Sequence, residues 1–113
     1  EISDRPMRFF VSEIIREKIF FLCQKEVPYS CQIEIEDYIV EEGLTRIRAI
    51  IIVERDSQKG IIIGKGGEML KKIGSTSRYE IQKFLDTKVF LQTFVKVDKD
   101  WRSTEAKLKK YGY

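Results

Sequence analysis

The chain holds no histidine, two cysteines, two prolines and one tryptophan among its 113 residues. Without histidine, Ser-His-Asp and Cys-His nucleophilic schemes cannot be assembled, and two cysteines fall short of the ligands of a usual zinc site. No CxxC spacing is present. Cys23 falls in an expected helix and Cys31 in an expected strand, which predicts two reduced core thiols of a cytosolic protein. No apolar run approaches the roughly 18 residues that a membrane helix needs, and no secretory leader opens the chain. A soluble, cytoplasmic protein is expected.

What is present suits one domain. With 42% hydrophobic and 35% charged residues the chain can bury a single core, but it is too short for two lobes around a catalytic cleft. A free-standing two-domain enzyme is therefore not expected. The opening segment Glu1 to Pro6 reads as linker running into a helix, which predicts a domain of a longer polypeptide.

The formal net charge of +3 hides a division: residues 1–58 sum to −4, residues 59–88 to +4 and residues 89–113 to +3. A basic stretch concentrated around one loop attracts phosphates, whereas basic residues spread around a helix only solvate it.

Hydrophobic periodicity divides the chain into elements. Ser3 or Asp4 can cap a first helix, with Pro6 in its first turn and Phe10, Val11, Ile14, Ile15, Ile19 and Leu22 at helical spacing to about Gln24. Val27-Pro28 stops it. Cys31, Ile33 and Ile35 then alternate with polar residues in a strand from Tyr29 to Val40, and Glu41-Glu42-Gly43 turns into a β-branched central strand from Thr45 to Glu54. Asp56 or Ser57 can cap a short helix through Ile61 to Ile63, broken at Gly64 to Gly67 before a longer helix from Glu68 to about Leu85. Leu70, Ile73, Ile81, Phe84 and Leu85 are its expected inner face, and Gly74 weakens it. A third strand runs from Val89 to Val97 with both faces expected to be covered, and a short helix carrying Trp101 and Leu108 ends the chain. This order places helices on one face of a three-stranded sheet, an α+β architecture.

The glycine loop carries the chemistry. Gly60 to Gly66 comes close to a GxxxxGK(S/T) nucleotide loop, but it has three residues between the glycines, and Gly66 stands where a hydroxyl must reach Mg²⁺. Ile62-Ile63-Gly64-Lys65-Gly66-Gly67 instead fits a GxxG loop between two helices. Glycines let a sugar-phosphate backbone lie against the main chain, and the amides opening the Glu68 helix carry a partial positive charge. Gly64 and Gly67 would supply the bend, Lys65 and Gly66 the phosphate contact, and Ile62 with Ile63 an apolar groove or its support. Lys59, Lys71 and Lys72 are the nearest further cations, and Arg48 on the second strand is a groove candidate. Two other readings stay open: a structural or protein-interaction domain whose loop packs tightly, and a nucleotide-binding enzyme using Gly60 to Gly66.

The flanking isoleucines, the loop lysine and the element order resemble a type II KH domain, in which the extra elements precede the core. The segments Asp4 to Phe9, Glu26 to Tyr29 and Ile52 to Lys59, together with the loop, Arg78, Lys88 to Leu91, Val95 to Val97, Trp101 and Gly112-Tyr113, resemble the C-terminal domain of the bacterial Era GTPase family. The resemblance implies one RNA-binding domain over residues 1–113, with a core at about 29–97, an N-terminal helix at about 5–25 and a C-terminal helix at about 99–110. It adds Arg78 to the RNA-binding candidates. It implies a module for the single-stranded 3′ end of small-subunit ribosomal RNA in ribosome assembly, tethered to an N-terminal GTPase domain. A KH module of another ribosomal or RNA-processing protein would carry the same loop. GTP, Mg and any hydrolysis would belong to the rest of the full-length protein, whose partners would be the small ribosomal subunit and, peripherally, the membrane. The chain itself is expected to need no cofactor and to catalyse nothing.

Overall fold

A computed structural model describes residues 4–23 and 31–99 of the chain. Three helices and three strands follow in the order α1 (Asp4–Leu22), β1 (Cys31–Glu41), β2 (Leu44–Val53), α2 (Asp56–Ile63), α3 (Glu68–Leu85) and β3 (Lys88–Val97), with one 3₁₀ turn at Lys65–Gly67. The expected stop at Val27-Pro28, the cap at Ser3 and the last helix with Trp101 lie outside the described residues. No described helix is long and apolar enough to cross a membrane.

The helices lie on one face of the sheet because the apolar periods of helix and strand meet there. Val11, Ile15 and Ile19 form the buried line of α1 and Ile73, Ser77 and Ile81 that of α3, against Cys31, Ile33, Ile35, Ile47, Ala49, Ile51 and Val53 of the sheet. Burying each isoleucine contributes about 1.5–3 kcal/mol. Basic side chains strap α1 to its neighbours. Arg8 donates to the Ile35 carbonyl at 2.7 Å and Arg16 to the Cys31 carbonyl at 3.1 Å, and Lys18 pairs with Glu80 of α3.

Phe10 and Phe84 depart from the expected inner faces. Each falls at the margin of its buried stripe, and the two rings meet at the surface, 5.2 Å between centroids. The cap of α2 is also different. Arg55 occupies the N-cap position, and the half-turn is held by Gln58, whose buried Oε1 accepts from the amides of Glu54 and Arg55 at 3.0 and 2.9 Å, so neither Asp56 nor Ser57 is needed.

The sheet order is β1-β2-β3, with β2 antiparallel to β1 and parallel to β3. The two-residue turn at Glu42-Gly43 closes the hairpin, with Gly43 at φ +76°. A register shift between Ile35 and Asp37 leaves Glu36 as an extra residue, so Tyr38 rather than Asp37 faces the core. Since a parallel pair needs a crossover, the whole α2-loop-α3 unit bridges β2 to β3. Both cysteines are buried and form no disulfide, and burial pushes the Cys23 thiol above its ordinary range. Among the described residues nothing covers the second face of β3, where Phe90 and Phe94 are exposed.

Candidate nucleic-acid interface

The loop between α2 and α3 is shaped by glycine conformations. Gly64 sits at φ +75° with its amide bonded to the Gly60 carbonyl at 2.8 Å, and Gly66 and Gly67 follow at φ +64° and +81°. At Gly64 a Cβ would come within 2.6 Å of Met69 Cβ, so glycine is required there by space as well as by φ. At Gly66 and Gly67 a Cβ would meet nothing within 4 Å. Those two positions are open toward whatever approaches the loop. Lys65 and Gly66 form its exposed tip.

Below the loop, a groove of about 420 Å³ runs between α3 and β3. Its helical wall is the stripe Gly67, Leu70, Lys71, Gly74, Ser75 and Arg78, and its other wall is Leu91 and Thr93 of β3. Helical spacing of three and four residues puts that stripe on one side of α3. β3 stands at the edge of the three-stranded sheet among the described residues, so its outer backbone amides and carbonyls border the groove. A glycine loop at the head, apolar Leu70 and Leu91 inside, and two cations along the rim can hold an anionic strand with flat, unpaired bases. Glu68 opens α3 beside the loop and opposes part of this charge.

The expected site residues separate into groups. Gly67, Lys71 and Arg78 line the groove, with Arg78 also donating to Gln82 at 3.1 Å. Gly64, Lys65 and Gly66 form the adjoining loop. Ile62 is fully buried and is core support rather than groove surface, while Ile63 is half-buried behind the loop. Lys59, on α2, and Lys72, on α3, are not among the residues lining the groove. Arg48 does not belong there at all. Its neighbours Ile47 and Ala49 face the helices, so strand alternation turns Arg48 to the opposite face of the sheet, where it pairs with Glu36 and lies 4.4 Å from the Phe94 ring centroid. The β3 wall residues Leu91 and Thr93 were not legible as site residues, since they reach α3 only through the parallel pairing of β3 with β2, whereas Gly74 shares the helical spacing of its neighbours. Leu70 and Ser75 follow from Gly67 by helical spacing alone. Among the described residues no group of Cys, Asp and Glu could hold a metal ion.

Comparison with known proteins fits this geometry. A family model described as "KH domain" matches residues 26–102. The GTPase Era of Geobacter metallireducens is 56% identical over 114 residues, covering 99% of this chain and 38% of that protein. That of Xylella fastidiosa is 50% identical over 113 residues, covering 100% and 38%. The crystal structure of Aquifex aeolicus Era bound to GDP and AlF4⁻ superposes with a TM-score of 0.89 at 38% identity, over 96% of this chain and 37% of that one. The same values hold for a crystal structure of Era in complex with MgGDPNP and nucleotides 1506–1542 of 16S ribosomal RNA. This chain thus spans little more than a third of the length of these relatives. It belongs to the KH-domain family, and within that family it stands with the KH portion of the Era GTPases.

Proposed function

We propose that the groove between α3 and β3 clamps single-stranded RNA from the 3′ end of small-subunit ribosomal RNA, as the RNA-binding part of an Era-like ribosome-assembly GTPase in the cytoplasm. The observation that carries this reading is the convergence of the glycine loop, Lys71, Arg78, Leu70 and Leu91 on one groove, in a fold shared with a relative solved in complex with 16S ribosomal RNA. The open space over Gly66 and Gly67 admits a phosphate to the main chain, Lys65 supplies the charge beside it, and the amides opening α3 add their partial charge. About four nucleotides fill such a groove. Bases then rest on Leu70 and Leu91, and their edges meet the backbone of β3. Selectivity comes from those edges, while the cations set affinity and its salt dependence. GTP hydrolysis, with its Mg, belongs in this reading to an N-terminal domain of the longer protein, which would bring this module to the small ribosomal subunit.

Fluorescence anisotropy with a ribosomal 3′-end strand, a scrambled strand and a duplex tests the reading. With Lys65, Lys71 and Arg78 as phosphate partners, log K should fall against log salt with a slope of about −2. The 3′-end strand should bind best, and Lys65→Asp with Gly66→Asp should abolish binding with the fold intact, because both residues are exposed. Equal binding of all three RNAs would refute the 3′-end assignment, and no binding at low salt would refute RNA binding itself.

A further inference from the structure

The groove uses only one face of β3. Strand alternation turns Lys88, Phe90, Phe94 and Lys96 to the other side of the sheet, where all four are exposed and the two rings keep 47% and 39% of their surface. On the neighbouring strand, Arg46 and Arg48 lay their guanidinium groups over these rings, 5.8 and 4.4 Å from the centroids. Glu41 and Glu36 hold the two arginines in place. β3 itself carries no acidic residue, and along this exposed face, at the sheet's edge among the described residues, Lys88 and Lys96 bracket Phe90, Gln92 and Phe94. An apolar protein partner would call for an uninterrupted hydrophobic patch. Rings bracketed by lysines, with arginine planes beside them, match a polyanion with flat bases.

We infer that this open face of β3 is a second platform for single-stranded RNA, taking bases of the strand that leaves the groove. The inference rests on the groove reading above, because the same edge strand forms the groove wall with Leu91 and Thr93. Phe90 and Phe94 lie four residues apart, about 13 Å along the strand. That is too far for neighbouring stacked bases and suits two bases separated by a linking nucleotide. Each base stacks on one ring beside one arginine, and Lys88 and Lys96 meet the phosphates at the two ends.

Anisotropy titrations with a four-nucleotide and a twelve-nucleotide strand of the same ribosomal 3′ sequence separate the two surfaces. The longer strand should bind more tightly to the unaltered chain. Phe90→Ala with Phe94→Ala should weaken the twelve-nucleotide complex by about tenfold or more and leave the four-nucleotide complex unchanged. Lys88→Glu with Lys96→Glu should make the salt slope of the longer strand shallower by about 1.4. Lys65→Asp with Gly66→Asp should weaken both complexes. If the alanine pair melts the sheet, Phe90→Leu with Phe94→Leu replaces it, since leucine keeps the bulk and removes the aromatic face. A twelve-nucleotide affinity within about twofold of the unaltered chain, or an equal loss for both lengths in a folded variant, would overturn the platform. If the short strand binds nothing, the groove reading fails, and the platform is decided by whether the long strand loses affinity in the phenylalanine variants.

Discussion

Replacing Gly74 with alanine should make the domain more stable and a poorer RNA binder. Gly74 sits inside α3 at an ordinary helical φ, and a Cβ there would meet only Thr93 Oγ1, at 3.8 Å. That is normal van der Waals contact, so no steric cost offsets the helical preference of alanine over glycine, about 1 kcal/mol. For a domain of this size the gain raises Tm by about 4 °C. The same methyl group projects into the groove between α3 and β3, where RNA would pass in the proposed binding mode. Crowding a fitted site by one methyl costs about 1–3 kcal/mol, a loss of roughly fivefold to 150-fold in affinity. Gly74→Leu should close the groove and abolish binding of the four-nucleotide strand. Thermal circular dichroism and anisotropy on the same samples read both effects. A fall in Tm for the alanine variant would mean that α3 and β3 approach more closely than 3.8 Å allows. Unchanged RNA affinity in a folded leucine variant would mean that the strand does not run through this groove.

Within the loop, Gly64→Ala should cost about 2–4 kcal/mol in urea unfolding, from the left-handed φ and the clash with Met69, whereas Gly66→Ala should cost only about 1 kcal/mol. Equal losses would show that backbone conformation alone decides both positions. The raised pKa of Cys23 makes a pH prediction with a defined sign. The native state holds the thiol proton longer than the unfolded chain, so the contribution to stability is complete below the ordinary thiol range and falls as pH climbs through it toward the raised native value. Urea midpoints measured from about pH 7 to about pH 10 should decline less steeply in Cys23→Ala. Identical slopes would remove the thiol as the cause.

Features carried by local pattern were legible in the sequence. The start of α3 follows from it, since the glycine loop precedes Glu68, and its apolar period runs out near Leu85, where the structure shows Asp86 in a left-handed conformation. The hairpin follows from Cys31, Ile33 and Ile35 alternating ahead of Glu42-Gly43. The cap of α2 did not, because a glutamine three positions into a helix is an ordinary helix former until its amide is seen to reach back to Glu54 and Arg55. The extra residue at Glu36 was hidden too, since one inserted residue only shifts the phase by which Tyr38 is read. Arg48 reads as a groove residue from its charge alone, although parity with Ile47, Ala49 and Ile51, which claim the core face, puts it on the far side of the sheet. The groove needed the tertiary structure. Its two walls are remote in sequence, and which side of β3 meets α3 is settled only when β3 pairs with β2.

That parallel pairing has a consequence for the order in which the chain folds. Every partner in the β2–β3 ladder, from Leu44 with Lys88 to Val53 with Val97, lies 44 positions away in sequence, while the β1–β2 hairpin and the helices close locally. Loop-closure entropy disfavours early formation of the distant ladder, so β3 should dock late, after α2, the loop and α3 have taken shape. A nascent or partly opened chain can therefore display a formed glycine loop with no second wall opposite it. If RNA binds in the proposed groove, its capture would report completion of the fold, and by mass action the bound strand would hold β3 against the opening motions that hydrogen exchange detects at this edge.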